Sequence, residues 1–139
     1  MKTAIINSDS YEKHFTGDGH PEQPKRVIAI KNKLKSRKDL IWEQPGIVPE
    51  DILNMTHSND YLDNLKSSFP QNGLKYLDGD TVVSPDSKEA VFEAAGSTIR
   101  AIDGIESNQF KNAFCLARPP GHHAERNKSM GFCCISNAG

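Results

Sequence analysis

Two adjacent histidines, His122 and His123, stand on the run Arg118-Pro119-Pro120-Gly121-His122-His123-Ala124, and a polar stretch separates them from Met130-Gly131-Phe132-Cys133-Cys134. Imidazole titrates near pH 6.5, so paired histidines on a Pro-Gly turn suit proton transfer: one takes a proton while its neighbour keeps or donates one. Two solvated histidines on a surface loop would satisfy the same spacing. His122, His123, Cys133 and Cys134 also offer metal-ligand atoms, but neighbours in an extended segment point to opposite sides. No Cys-x-x-Cys or His-x-x-x-His spacing is present. Cys133 as a nucleophile with His122 as its base would need a third group to orient the base, and none is visible in the sequence.

The elements that must position these residues read as an α/β pattern. Thr3 to Asn7 is a short apolar run, a strand. A polar loop runs from Ser8 to about Pro21. A helix is expected from about Pro24 to Ser36, with Val27, Ile30 and Leu34 on one stripe and prolines where a first turn tolerates them. Seven cationic residues lie between Lys25 and Lys38, a pattern that suits a solvated face opposite that stripe. Ile41 to Glu43 is a brief strand, and Pro49-Glu50-Asp51 opens a short helix through Met55. Ser58 caps a further helix with Tyr61, Leu62 and Leu65 on one face. Phe69 to Asp80 is a long loop. A long helix spans about Pro85 to Ile105, and Ala94-Ala95-Gly96 permits a neighbour's close approach. Ala113 to Ala117 is a near-continuous apolar run, expected to be a strand buried on both faces. In open α/β sheets ligands sit beyond the carboxyl ends of the strands, which directs attention to the segment after Ala117.

The 139 residues carry 17 basic and 18 acidic side chains, a formal net charge of −1 and 25% charged residues, the profile of a soluble domain. No broad field is available to hold nucleic acid or an anionic membrane. No apolar run approaches the ~20 residues of a membrane span, and Met1 to Asn7 lacks a signal-peptide core, so a cytoplasmic location is expected. Three cysteines without an export signal do not suggest a disulfide scaffold.

The run Arg118 to Ala124 followed by Gly131-Phe132-Cys133 closely resembles the active-site signature of the zinc-dependent histone deacetylase and acetylpolyamine amidohydrolase family. The resemblance extends backwards through Gly19-His20-Pro21-Glu22-Gln23-Pro24-Lys25-Arg26, through Thr56-His57-Ser58-Asn59-Asp60-Tyr61, and through Asp78-Gly79-Asp80-Thr81 with Ser87 and Ala94-Ala95-Gly96. It implies an arginase/deacetylase-like parallel-sheet fold, incomplete in this chain. Residues 1–139 would be the N-terminal part of a single domain, cut off after the His-His and Gly-Phe-Cys motifs. It implies that His122 and His123 are catalytic, one as general base and the other as electrostatic or general-acid partner in acetamide hydrolysis. Phe132 would wall a narrow tunnel for an acyl-lysine or acylpolyamine arm, the Gly131 carbonyl would accept that arm's amide proton, and Asp80 would bind substrate at the rim. Arg26 would line an inner channel, and Cys133 would pack beneath the site.

The chain departs from the family after Phe132-Cys133, where an aromatic and two asparagines are usual. Here Cys134-Ile135-Ser136-Asn137 keeps only the last. The family's zinc ligands, the aspartates that orient its histidines and the tyrosine that polarises the acetyl carbonyl come later than this stretch, so no metal ligand is assigned here. Zinc is expected for a full-length family member, with acetylated lysine or polyamine as substrate, no nucleic-acid or membrane partner, and the remaining C-terminal part of the domain as the missing partner. The chain alone is expected to be inactive, and poorly soluble because its strands lack neighbours. The alternative is a truncated non-catalytic module that binds acyl-lysine, polyamine or a protein.

Overall fold

The computed structural model describes residues 2–139. Its centre is β1 (Thr3–Ile6), whose Ala4, Ile5 and Ile6 are all buried because both sheet faces are covered. A one-turn helix, α1 (Ser10–Lys13), follows where a loop was expected, and then α2 (Lys25–Leu34). β2 (Leu40–Glu43) pairs parallel with β1, placing Ile5 opposite Trp42. The short helices α3 (Glu50–Thr56) and α4 (Asn59–Ser68) come next, and Ser58 caps α4 by accepting from the Tyr61 amide. β3 (Lys75–Tyr76) and β4 (Val82–Val83) form a small antiparallel hairpin inside the expected long loop. α5 (Ser87–Glu106) leads to β5 (Asn112–Cys115), parallel with β1 on the side away from β2.

The sheet order is therefore β2-β1-β5. Alternation along β1 divides the core. Ile5 packs with Val27 and Leu116, joined by Ile30 and Leu34 of α2. Ala4 and Ile6 face the other way, onto Ala101 of α5 and Phe110. A further cluster joins α3, α4 and α5 through Leu53, Leu62, Leu65, Val91 and Ala95, and it takes in Cys134 and Ile135. α5 approaches the Gly46 backbone so closely that a β-carbon on Gly96 would lie 1.9 Å from the Gly46 carbonyl oxygen.

β5 is not buried on both faces: Phe114 is 46% exposed, because β5 is an edge strand with β1 on one side only and α5 covers just the face of Ala113 and Cys115.

The chain leaves β1 toward β2 and returns on the opposite side as β5. The carboxyl ends of β1 and β5 thus flank the point where the strand order reverses, the place where open α/β sheets form a crevice. The segments that meet there are Asn7 to Glu22, which follows β1, and Leu116 to Asn137, which follows β5.

Candidate active site

A buried ion pair joins those two segments. Arg118 is fully buried, and its guanidinium reaches both carboxylate oxygens of Glu22 at 2.7–3.1 Å while also donating to the carbonyls of Tyr11 and His14, each at 2.6 Å. Every face of the charge is thereby satisfied, which a buried guanidinium requires. His14 sits against the same pair, its Nδ1 2.6 Å from the Ser87 hydroxyl. Burial, with the Arg118 charge adding to it, pushes the His14 pKa down to about 4. Arg26, on the first turn of α2, is 47% exposed and ties the helix to the end of β5 by donating to the Ala117 carbonyl at 3.0 Å.

Beyond Arg118 the chain turns through a cis Arg118-Pro119 peptide to Gly121. Gly121 is pressed against the 135–137 segment, where a β-carbon would lie 2.4 Å from the Ile135 carbonyl oxygen. His122 and His123 follow, both exposed, with ring centroids 4.3 Å apart. Among the described residues neither imidazole has a hydrogen-bond partner.

The backbone then makes a tight turn. Met130 and Cys133 exchange both backbone hydrogen bonds, at 3.0 and 2.9 Å, around Gly131 and Phe132 with φ of +56° and +71°. Positive φ at both central residues is the type I′ hairpin geometry, in which Asn-Gly is preferred. Phe132 therefore holds an aromatic side chain at a position that disfavours it by about 1–2 kcal/mol. Thr81, just ahead of β4, holds it there by accepting the Phe132 amide at 3.1 Å. Gly131 has no alternative, since a β-carbon would come within 2.8 Å of the His123 ring. Cys133 is buried beneath: its thiol lies 3.2 Å from the Gly131 carbonyl and 3.5 Å from the His123 amide. Burial pushes that thiol up, which favours packing over nucleophilic attack.

His20 closes the opposite side. Its Nδ1 accepts from the Glu22 amide at 3.1 Å, which leaves Nε2 to donate to the Asp80 carbonyl at 2.9 Å, and its ring meets Phe132 edge-on at 5.0 Å. Asp80 itself is exposed. Its turn is fixed by the Asp78 carboxylate, which accepts from the Asp80 and Thr81 amides at 3.0 and 2.7 Å.

The structure thus brings His122, His123, Gly131, Phe132 and Cys133 together and places Asp80 beside them through His20. Arg26 lies on the sheet side, at the end of β5. Reading the residues alone passed over His20, Glu22 and Arg118 as site-builders. They were in plain view within recognised motifs, but an ion pair between residues 96 positions apart leaves no local signal.

A model of the histone deacetylase domain matches residues 20–139. The chain belongs to the histone deacetylase family. It is 40% identical over 143 residues to an uncharacterized protein of Synechocystis sp., a match covering 96% of this chain and 45% of that one. It is 36% identical over 136 residues to a probable deacetylase of Methanothermobacter thermautotrophicus, covering 96% of this chain and 39% of the relative. The fold matches a crystal structure of the HDA15 HD domain with a TM-score of 0.88 at 29% identity, over 99% of this chain and 41% of that one. This deacetylase-family chain therefore spans less than half the length of the relatives it matches.

Zinc is the metal the family implies. Among the described residues no three His, Cys, Asp or Glu side chains gather in a way that would hold a metal ion. The two site histidines project to solvent, and the nearby thiol is pushed toward its protonated form rather than toward a thiolate ligand. These residues do not fit a catalytic zinc site, which takes about three protein ligands. Among the described residues no helix is long and apolar enough to cross a membrane.

Proposed function

We propose that this chain supplies the proton-transfer and substrate-arm side of a deacetylase site acting on acetylated lysine or acetylated polyamines. The observation that supports it is the exposed His122-His123 pair, 4.3 Å apart at the strand-order reversal and backed by a Gly-Phe turn. Amide hydrolysis requires a proton to leave the attacking water and another to reach the departing amine, and two adjacent imidazoles can divide those tasks. Phe132 and His20 form an aromatic wall along which an alkyl arm can lie. The Gly131 carbonyl keeps one lone pair for the arm's amide N–H, the other being directed to the Cys133 thiol. The Asp80 carboxylate, exposed at the rim, suits a cationic or amide-rich substrate. Arg26 would face the inner side, toward product. No step is assigned to zinc, because this chain's residues do not assemble its site. The part of the relatives' length that the chain does not span is proposed as its necessary partner, in a cytoplasmic enzyme.

The test has two arms. The purified chain, given zinc and either an acetyl-lysine peptide or an acetylpolyamine, is expected to show no turnover. Turnover abolished by substituting both histidines would overturn the claim that the chain is insufficient. In the second arm, residues 1–139 replace the corresponding segment of the Methanothermobacter relative. The chimera is expected to deacetylate, and His122→Ala with His123→Ala to abolish it. A folded chimera that binds the substrates without hydrolysing them would favour a non-catalytic binding module.

A further inference from the structure

The corner between α3 and α4 hydrogen-bonds the site loop at several points. His57 is fully buried, and its two ring nitrogens hold two separate points of that loop. Nε2 accepts from the Ser136 amide at 3.0 Å, which fixes the proton on Nδ1, and Nδ1 faces the Arg126 carbonyl at 3.2 Å. Ser58 donates from its hydroxyl to the Asn127 side-chain carbonyl at 2.5 Å while its backbone N–H reaches the Arg126 carbonyl at 3.4 Å. One turn on, the Tyr61 hydroxyl donates to the Cys134 carbonyl and lies beside the Ser129 hydroxyl, each at 2.5 Å. Ser129 and Cys134 immediately flank the four residues of the Gly131-Phe132 turn.

We infer that His57, Ser58 and Tyr61 form a positioning device that clamps residues 126–136 on both sides of the Gly-Phe turn and so sets where Phe132 stands against His20. A turn holding an aromatic residue at φ +71° must be over-determined by its surroundings, and its own ladder contributes only two hydrogen bonds. Thr81 adds a third at the Phe132 amide, and the clamp adds its own from the start of a helix. Among the described residues no hydrogen bond or ring contact joins the clamp to the His122-His123 pair, so it acts through the loop. The clamp's value for substrate rests on the function proposed above, but its test uses no turnover and stands or falls separately.

Asparagine and glutamine separate the two arms of His57. Asparagine places an N–H where Nδ1 stands, and glutamine places a carbonyl oxygen near Nε2. The Arg126 carbonyl lies within a turn closed by the Glu125 amide, which donates to the Lys128 carbonyl at 2.9 Å. In the full chain, His57→Asn is expected to raise hydrogen exchange at the Ser136 amide about tenfold and leave the Glu125 amide protected, while His57→Gln does the reverse. A tenfold change is the scale of one hydrogen bond. Tyr61→Phe keeps the ring, and with it the fold should either His57 variant fail to fold. It is expected to raise exchange at Met130 and Cys133 about tenfold and to weaken the nuclear Overhauser contact between His20 and Phe132, with β1 and α5 protection unchanged. Unchanged turn amides in all three variants would overturn the inference. So would exchange rising equally across β1, α5 and the turn, since that would make these residues ordinary contributors to global stability.

Discussion

At the scale of single residues, the site is organised by groups that the proposed chemistry does not use. Arg118 immediately precedes the Pro-Pro-Gly-His-His run and is locked to Glu22, two residues after His20, so one buried pair sets the separation of the two sides of the crevice. Removing either partner alone would strand a buried charge, a loss of about 3–5 kcal/mol, which makes this pair sensitive out of proportion to its size. His14 adds a pH dependence to the same cluster. Folded, it stays neutral down to about pH 4, held there by burial and by the Arg118 charge, against the pull of Glu22. Unfolded, it protonates near pH 6.5, so the unfolded state binds more protons across that interval and stability falls as the pH drops from about 6.5 to about 4. The expected loss is on the order of 3 kcal/mol, since each pH unit between about 6.5 and about 4 carries about 1.36 kcal/mol. Urea titrations from pH 7.5 to 4 check it: His14→Gln should flatten the wild-type slope in that window, and an unchanged slope would assign the dependence to the carboxylates.

At the scale of elements, the long helix α5 is positioned by what it lacks. Gly96 lets the Gly46 backbone in, the Gly46 amide donating to the Gly96 carbonyl at 3.1 Å. Gly96→Ala would set a methyl 1.9 Å from the Gly46 carbonyl oxygen, so either α5 or the connection between β2 and α3 must move. A loss of about 1–3 kcal/mol is expected despite alanine's better helix propensity, measured as a drop in denaturation midpoint with an unchanged slope. The small side chains of 94–96 mark a close approach without naming the neighbour, and the Ser58 cap and most element boundaries are equally legible, because those signals are local. What escaped was non-local. α1 and the β3-β4 hairpin are two to four residues long, too short for a period to show. The apolar run at 113–117 read as doubly buried because composition reports how apolar a strand is, not how many neighbours it has. The His-His motif was legible as chemistry. The left-handed Gly-Phe turn that accompanies it was not, since φ has no sequence signature when the second residue is phenylalanine.

At the scale of the whole molecule, the same open edge decides how the chain behaves in solution. Among the described residues β5 pairs with β1 alone, leaving its outer backbone groups available, and Phe114 stands on its uncovered face. Around α3 and α5, Ile47, Met55 and Ile102 are 92%, 77% and 56% exposed, beside an apolar groove of about 220 Å3 lined by Val48, Ile52, Ile99 and Ile135. A parallel edge strand next to apolar side chains is a template for pairing with another chain, and natural edges are usually blunted by charge or cover. The purified chain is therefore expected to associate with increasing concentration, visible as rising weight-average mass in sedimentation between about 5 and 200 μM, concentrations at which exposed strand edges associate. Phe114→Glu, which charges the edge, and Ile102→Glu, which charges the helix face, should each shift that rise to higher concentration. Their effects should add if the edge and the helix face are separate surfaces. A monomer at all concentrations with one sharp transition above about 50 °C would mean that the three strands and their helices are self-sufficient despite the open edge.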